Sequence, residues 1–135
     1  MTRILTVTPE RCVACGKCEL ACAFTHGAAG MPGAPRIRVL RAGPERGTPL
    51  TCLHCHEAAC AAVCPAQALV RDAATGAMAL QEDRCLGCGL CAAACPFGSM
   101  TWEAARRRPA KCDLCGGAPR CVPFCPSGAL EYRPA

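Results

Sequence analysis

Apolar and polar residues alternate along this chain only in short bursts, and each burst stands beside a group of cysteines. LTVTPERC (residues 5–12) and MALQEDRC (78–85) place Leu5 with Val7 and Met78 with Leu80 at a period of two, the spacing of a strand with one buried face. Each then passes through turn-like residues, including an acid, to an Arg directly before a cysteine. Downstream of three cysteine groups, CPAQALVR, CPFGSMTWE and CPSGALEYR put Pro after the last cysteine, then a small-residue turn, then a short apolar strand. Within the groups, Glu19 to Ala23 and Leu90 to Ala94 are free of Gly and Pro and predict one helical turn each. The least regular stretch predicts a Gly/Pro-rich loop from His26 to Pro35, a strand from Arg36 to Arg41 with Ile37 and Val39 on one face, and a second loop. The repeated unit is strand, cysteine loop, turn, strand. No long polar linker divides the chain, so residues 1–135 read as a single loop-rich α+β body of two pseudo-symmetric modules with short strands and helices.

Composition explains why so little of the chain is conventional core. With one Trp, one Tyr and three Phe in 135 residues it cannot build a large aromatic interior, whereas 13 Gly and 12 Pro suit a chain that wraps compact objects. Sixteen cysteines supply the objects' ligands. They fall into four groups: Cys12, Cys15, Cys18, Cys22; Cys52, Cys55, Cys60, Cys64; Cys85, Cys88, Cys91, Cys95; and Cys112, Cys115, Cys121, Cys125. A 4Fe-4S cluster takes four cysteine sulfurs, so four such clusters would use every cysteine.

Two other uses of dense cysteine are weaker fits. A disulfide-stapled secreted scaffold needs export, and MTRILTVTPERC has no apolar core of a secretory signal. No apolar run approaches a membrane span. A soluble, reducing compartment is expected, the cytoplasm, with export as passenger of a signal-bearing partner open. Zinc sites separate two CxxC pairs by a longer linker instead of packing three cysteines into seven residues. The formal net charge of +5 suggests nucleic acid at first sight. An oxidised cluster with its thiolates carries about −2, so four bring the loaded chain to about −3 and make no nucleic-acid partner necessary.

Cys85, Cys88, Cys91, Cys95 and Pro96 match CxxCxxCxxxCP, the run in which three cysteines serve one cluster and the fourth serves another. Groups must therefore work in pairs. The second and fourth groups widen the gap before the third cysteine, and the first carries Ala23 where the others have Pro. CVACGKCELAC, CLHCHEAAC, CLGCGLCAAACPFG and KCDLC with CPSGAL resemble the four-cluster iron–sulfur subunits of molybdenum and tungsten enzymes, carbon monoxide dehydrogenase and hydrogenase complexes, the dimethyl sulfoxide reductase beta-subunit family. CELACAFTHG leading to PRIRVL is similar to the small iron–sulfur subunits associated with tungsten aldehyde oxidoreductases.

The resemblance covers nearly the whole chain and implies two bacterial ferredoxin-like modules, one from 1–30 plus 105–135 and the other from 50–104. It implies four ligand sets: Cys12, Cys15, Cys18 with Cys125; Cys112, Cys115, Cys121 with Cys22; Cys52, Cys55, Cys60 with Cys95; and Cys85, Cys88, Cys91 with Cys64. Sequential pairing of the groups stays open on the residues alone. Departures from larger members are the compressed Cys115 to Cys121 loop, the missing carboxy-terminal segment, and Ala58 and Ala59 where relatives often have prolines. These put membrane-anchor docking in doubt more than cluster binding.

No nucleophile with a base, phosphate-cradling loop or open metal position accompanies the cysteines. The expected role is non-catalytic electron transfer for a large catalytic oxidoreductase subunit, in the resemblance one with a pterin-tungsten or pterin-molybdenum centre, with a possible further redox subunit. A freestanding polyferredoxin, or a subunit of a carbon monoxide dehydrogenase, formate dehydrogenase or hydrogenase complex, is the alternative. His54 and His56 flank Cys55 and read as neighbours of the ligands because all four cysteines are present; His26 reads as solvent-facing. Arg106, Arg107 and Arg108 read as a solvated turn rather than a docking patch. Pro65, Pro96 and Pro126 fix turns after ligands, while Gly87, Gly89, Gly116, Lys17 and Lys111 are placed to tune the sites through amides and charge.

Overall fold

In a computed structural model, which describes residues 3–27 and 30–134, the chain forms four antiparallel two-stranded sheets and four short α-helices. Ala28 and Ala29 of the expected loop, and residues 1, 2 and 135, lie outside the described residues. Strand β1 (Arg3–Val7) pairs with β8 (Leu130–Pro134), β2 (Arg38–Gly43) with β3 (Arg46–Leu50), β4 (Leu69–Arg71) with β5 (Met78–Leu80), and β6 (Thr101–Glu103) with β7 (Arg108–Ala110). One sheet therefore stands between each cysteine group and the next, and β1–β8 closes the circle by pairing Arg3 with Pro134 and Val7 with Leu130. This gives the expected α+β, loop-rich and pseudo-symmetric architecture.

Helix α1 (Lys17–Thr25) packs on α4 (Cys121–Phe124), and α2 (Ala59–Val63) packs on α3 (Leu90–Ala94). Proline explains their lengths. In α2, α3 and α4 the final cysteine precedes Pro65, Pro96 or Pro126, whose ring disfavours the α conformation at the residue before it. Cys64, Cys95 and Cys125 are accordingly extended, with ψ of 113°, 114° and 108°, and each helix stops there. Ala23 imposes no such stop. Helix α1 runs on to Thr25, longer than the single turn expected at Glu19 to Ala23.

The strand expected at Arg36 to Arg41 lies at Arg38–Gly43; Val39 within it and Ile37, just before its start, are both buried. Two strands depart from the expectation of loops. Arg46–Leu50 pairs with β2, and Arg108–Ala110, which starts at the last residue of the basic run, pairs with β6. Both contain a proline, opposite Val39 and Trp102 respectively, which hides the strand signal but is tolerated where every strand is an edge.

Isolated hairpins are marginal in water, so the sheets need support from packing. One core joins Cys18, Cys22, Ile37, Val39, Cys121 and Leu130, with Cys12 and Cys125 packed against it. The other joins Leu69, Met78, Cys91 and Met100, with Cys60 and Cys95 at its edge. Among the described residues no large side chain is fully buried. Among the described residues no helix is long and apolar enough to cross a membrane.

Candidate metal centre

The four CxxC loops share one backbone signature. The residue before the second cysteine, Ala14, His54, Gly87 or Leu114, has φ of 58°, 48°, 71° or 57°. The left-handed region costs a residue with a Cβ about 1 kcal/mol or more, so Ala14, His54 and Leu114 hold strain at equivalent positions, as functional loops often do. The bend turns amides toward sulfur: His54 N–H donates to Cys52 Sγ at 3.3 Å and Gly87 N–H to Cys85 Sγ at 3.4 Å. Gly89 serves differently, as the left-handed residue that starts α3, and the Gly116 amide donates to the Asp113 carbonyl.

The fourth cysteines are also amide-bound. Ala68 N–H reaches Cys64 Sγ at 3.3 Å and Ala129 N–H reaches Cys125 Sγ at 3.2 Å, each across the proline turn. The first group lacks that turn, and Arg36 N–H, fourteen residues on, reaches Cys22 Sγ at 3.1 Å in its place. At Cys125, burial raises the thiol pKa, but the Ser127 hydroxyl and nearby amides outweigh it and leave it lowered. The third cysteines behave oppositely. Burial pushes the Cys18 thiol up to about 11 and Cys121 up to about 12, and raises Cys60 and Cys91. Anionic sulfur at these positions needs a cation to balance it.

Three cavities are each lined by four cysteines. Cys52, Cys55, Cys60 and Cys95 line one; Cys64, Cys85, Cys88 and Cys91 line the second; Cys22, Cys112, Cys115 and Cys121 line the third. Cys12, Cys18 and Cys125 meet in the first core, and Cys15 beside them is exposed. All sixteen cysteines are free. Among the described residues no three cysteine sulfurs lie within 4.8 Å of one another. The sulfurs on a single tetrahedral zinc ion would be about 3.8 Å apart, from a Zn–S bond of about 2.3 Å.

Several neighbours of the sulfurs are not evident from sequence. His26 is not solvent-facing: it is half-buried, burial lowers its pKa, and its Nε2 lies 3.7 Å from Cys115 Sγ. With Asp113 it places three possible donor atoms within 4.8 Å. The long α1 and the turn after it bring His26 to the fourth group, a placement no local pattern announces. Arg71, at the end of β4, donates to the carbonyls of His54, Cys55 and His56 and to that of Gly76. His54 Nδ1 accepts from Met78 N–H at 3.0 Å, leaving the ring proton on Nε2, which is buried without a partner among the described residues. His56 is exposed. Lys17 is exposed, whereas Lys111 is buried, with Nζ 3.0 Å from Cys52 Sγ. The basic run is an exposed hairpin end in which Arg106 pairs with Glu82 and Glu103.

Residues 46–134 match the family described as 4Fe-4S dicluster domain, and residues 9–25 match the 4Fe-4S binding domain. The chain is 39% identical over 121 residues to the polyferredoxin-like subunit of an aliphatic sulfonate oxidoreductase from Pyrococcus furiosus, covering 90% of this chain and 70% of that protein. It is 36% identical over 129 residues to the beta subunit of an NADH-dependent phenylglyoxylate dehydrogenase from Aromatoleum evansii, covering 92% of this chain but 28% of that one. It is 39% identical over 106 residues to formate hydrogenlyase subunit 2 of Escherichia coli, covering 78% of this chain and 51% of the relative.

Proposed function

This chain belongs to the 4Fe-4S dicluster domain family, and from that premise we propose that it is a non-catalytic iron–sulfur subunit that relays electrons between a catalytic oxidoreductase chain and a second redox partner. The observation that carries the reading is the set of three cavities, each lined by three cysteines of one group and one of another. Their sulfurs are too widely spaced to share one small ion and fit a larger body. His54 adds a second sign of fit, since it lines the cavity of Cys52, Cys55, Cys60 and Cys95 while its buried Nε2 proton has no acceptor among the described residues. When bound, 4Fe-4S clusters supply one-electron redox chemistry.

We assign four clusters to the ligand sets Cys12, Cys15, Cys18, Cys125; Cys112, Cys115, Cys121, Cys22; Cys52, Cys55, Cys60, Cys95; and Cys85, Cys88, Cys91, Cys64. The packing of α1 on α4 and α2 on α3 supports this crossed arrangement, with modules of 1–30 plus 105–135 and 50–104. Within these sets the chain's residues bend the CxxC loops, donate amides to sulfur and exclude water from the third cysteines.

The relatives' names include an aliphatic sulfonate oxidoreductase, a phenylglyoxylate dehydrogenase and a formate hydrogenlyase. They support a large oxidoreductase subunit as partner, and a formate- or hydrogenase-type complex stands ahead of the pterin-tungsten or pterin-molybdenum aldehyde oxidoreductase favoured by resemblance. A freestanding carrier is the competing reading. Anaerobic purification from the native host tests both layers. About sixteen iron atoms and as many acid-labile sulfides per chain are expected, together with a large co-eluting catalytic chain. Zinc without sulfide overturns the cluster reading, and elution alone overturns the subunit reading in favour of the carrier.

A further inference from the structure

Lys111 is 2% exposed, yet no carboxylate among the described residues lies within 4.0 Å of its ammonium. A buried cation without an anionic partner is costly, so the environment must supply negative charge. Its Nζ donates to Cys52 Sγ at 3.0 Å and to the Cys112 carbonyl at 2.9 Å. Cys52 belongs to the second cysteine group and Cys112 to the fourth, so one ammonium touches two groups assigned to different modules. The same side chain lines the cavity of Cys52, Cys55, Cys60 and Cys95. Its backbone is held too, because Arg36 Nη1 donates to the Lys111 carbonyl at 2.8 Å.

Resting on the four-cluster reading above, we propose that Lys111 is the charged link between the modules, positioned to make the site of Cys52, Cys55, Cys60 and Cys95 more easily reduced. Uptake of one electron adds one negative charge to a cluster and its thiolates. An ammonium within hydrogen-bond distance of a ligand sulfur favours the more negative state, and in a water-poor junction its effect is weakly screened. Lys111 thereby biases where an electron rests as it passes between the halves.

The test compares holoprotein variants Lys111→Met, Lys111→Gln and Lys111→Arg by iron content and by redox titration followed by electron paramagnetic resonance. With full iron, Lys111→Met is expected to lower the reduced-to-oxidised ratio of one cluster, at a fixed potential, by roughly tenfold, as expected for one charge-assisted hydrogen bond. Lys111→Arg should restore that ratio to within about threefold. Iron lost from both neutral variants but retained in Lys111→Arg supports the same requirement for charge. Unchanged midpoints in fully loaded Lys111→Met, or iron lost from all three variants, overturn it. Absence of sulfide in the wild-type protein sinks the cluster reading itself, which separates the two failures.

Discussion

The guanidinium of Arg71 donates to the carbonyl of His54 at 3.0 Å, and through its other contacts clasps the carbonyls of Cys55 and His56 to the Gly76 turn. One side chain at a strand end thus holds the second CxxC loop in its strained shape. Arg71→Ala should lower metal-free stability by about 1–2 kcal/mol, from the loss of charged hydrogen bonds at an exposed position. It should also lower the iron content by about four atoms per chain, one cluster. Lys in its place should rescue little, because it lacks the planar fork that spans several carbonyls. Iron analysis and urea unfolding check this, and wild-type iron content in Arg71→Ala would refute it.

Crossed ligand pairing has a numerical consequence. Cys18 and Cys125 are assigned to the same site, so Cys18→Ser and Cys125→Ser together should cost one cluster, leaving about 12 iron atoms per chain. Cys18→Ser with Cys121→Ser touches two sites and should leave about eight. Sequential pairing instead predicts about eight for the first double variant. Iron and sulfide counts decide.

Burial sets the pH behaviour of the metal-free protein. Cys18 and Cys121, raised from 9.0 to about 11 and about 12, bind their protons more tightly folded than unfolded. Their contribution to stability is full below about pH 9 and is lost as pH rises through about 11 to 12. His54 has the opposite sign. Burial, then the charges of Lys111 and Arg71, lower it from 6.5 to about 4, so its contribution is full above 6.5 and is lost as pH falls through about 4. Urea midpoints of metal-free protein should therefore be highest between about pH 6.5 and 9. Iron loading should release protons and weaken on acidification, because thiolates are the ligands. A midpoint still rising above about pH 10 would contradict the assignment.

Ala23 allows α1 to continue past Cys22, and Gly33 N–H donates to the Ala23 carbonyl at 2.8 Å. Ala23→Pro should remove a helical hydrogen bond and force Cys22 toward the extended conformation of the other fourth cysteines. A loss of about 3 kcal/mol in metal-free stability is expected. Denaturant unfolding measures it, and an unchanged midpoint would show that α1 does not depend on Ala23.

Helices α1 and α4 expose Leu20, Phe24 and Phe124 at 59%, 66% and 55%, and the charged side chains lining the groove between them are Lys17 and Arg120. On the proposed subunit reading, this apolar, basic-rimmed face is the docking surface for the catalytic chain. Phe24→Ala with Phe124→Ala should leave iron content unchanged while reducing co-purification of the large subunit by tenfold or more, a typical loss for buried aromatic anchors. Undiminished co-purification would place the interface elsewhere.

Much of this protein can be read from its order of residues, because cysteine spacing and proline act locally. The four groups, the helix over Leu90 to Ala94, the period-two strands and the extended cysteines before Pro65, Pro96 and Pro126 need only near neighbours. Strands at Arg46–Leu50 and Arg108–Ala110 escape that reading, since Pro49 and Pro109 mask a pattern that only the partner strand reveals. Tertiary structure alone decided that β1 meets β8, that Arg36 takes the part of a missing turn amide at Cys22, and that His26 leaves solvent for Cys115. It also decided that Lys111 is buried against Cys52, fifty-nine positions away. The division has a physical cause: ligand spacing is a property of a few bonds, whereas the fields and hydrogen bonds around each sulfur come from residues brought near only when the chain closes on itself.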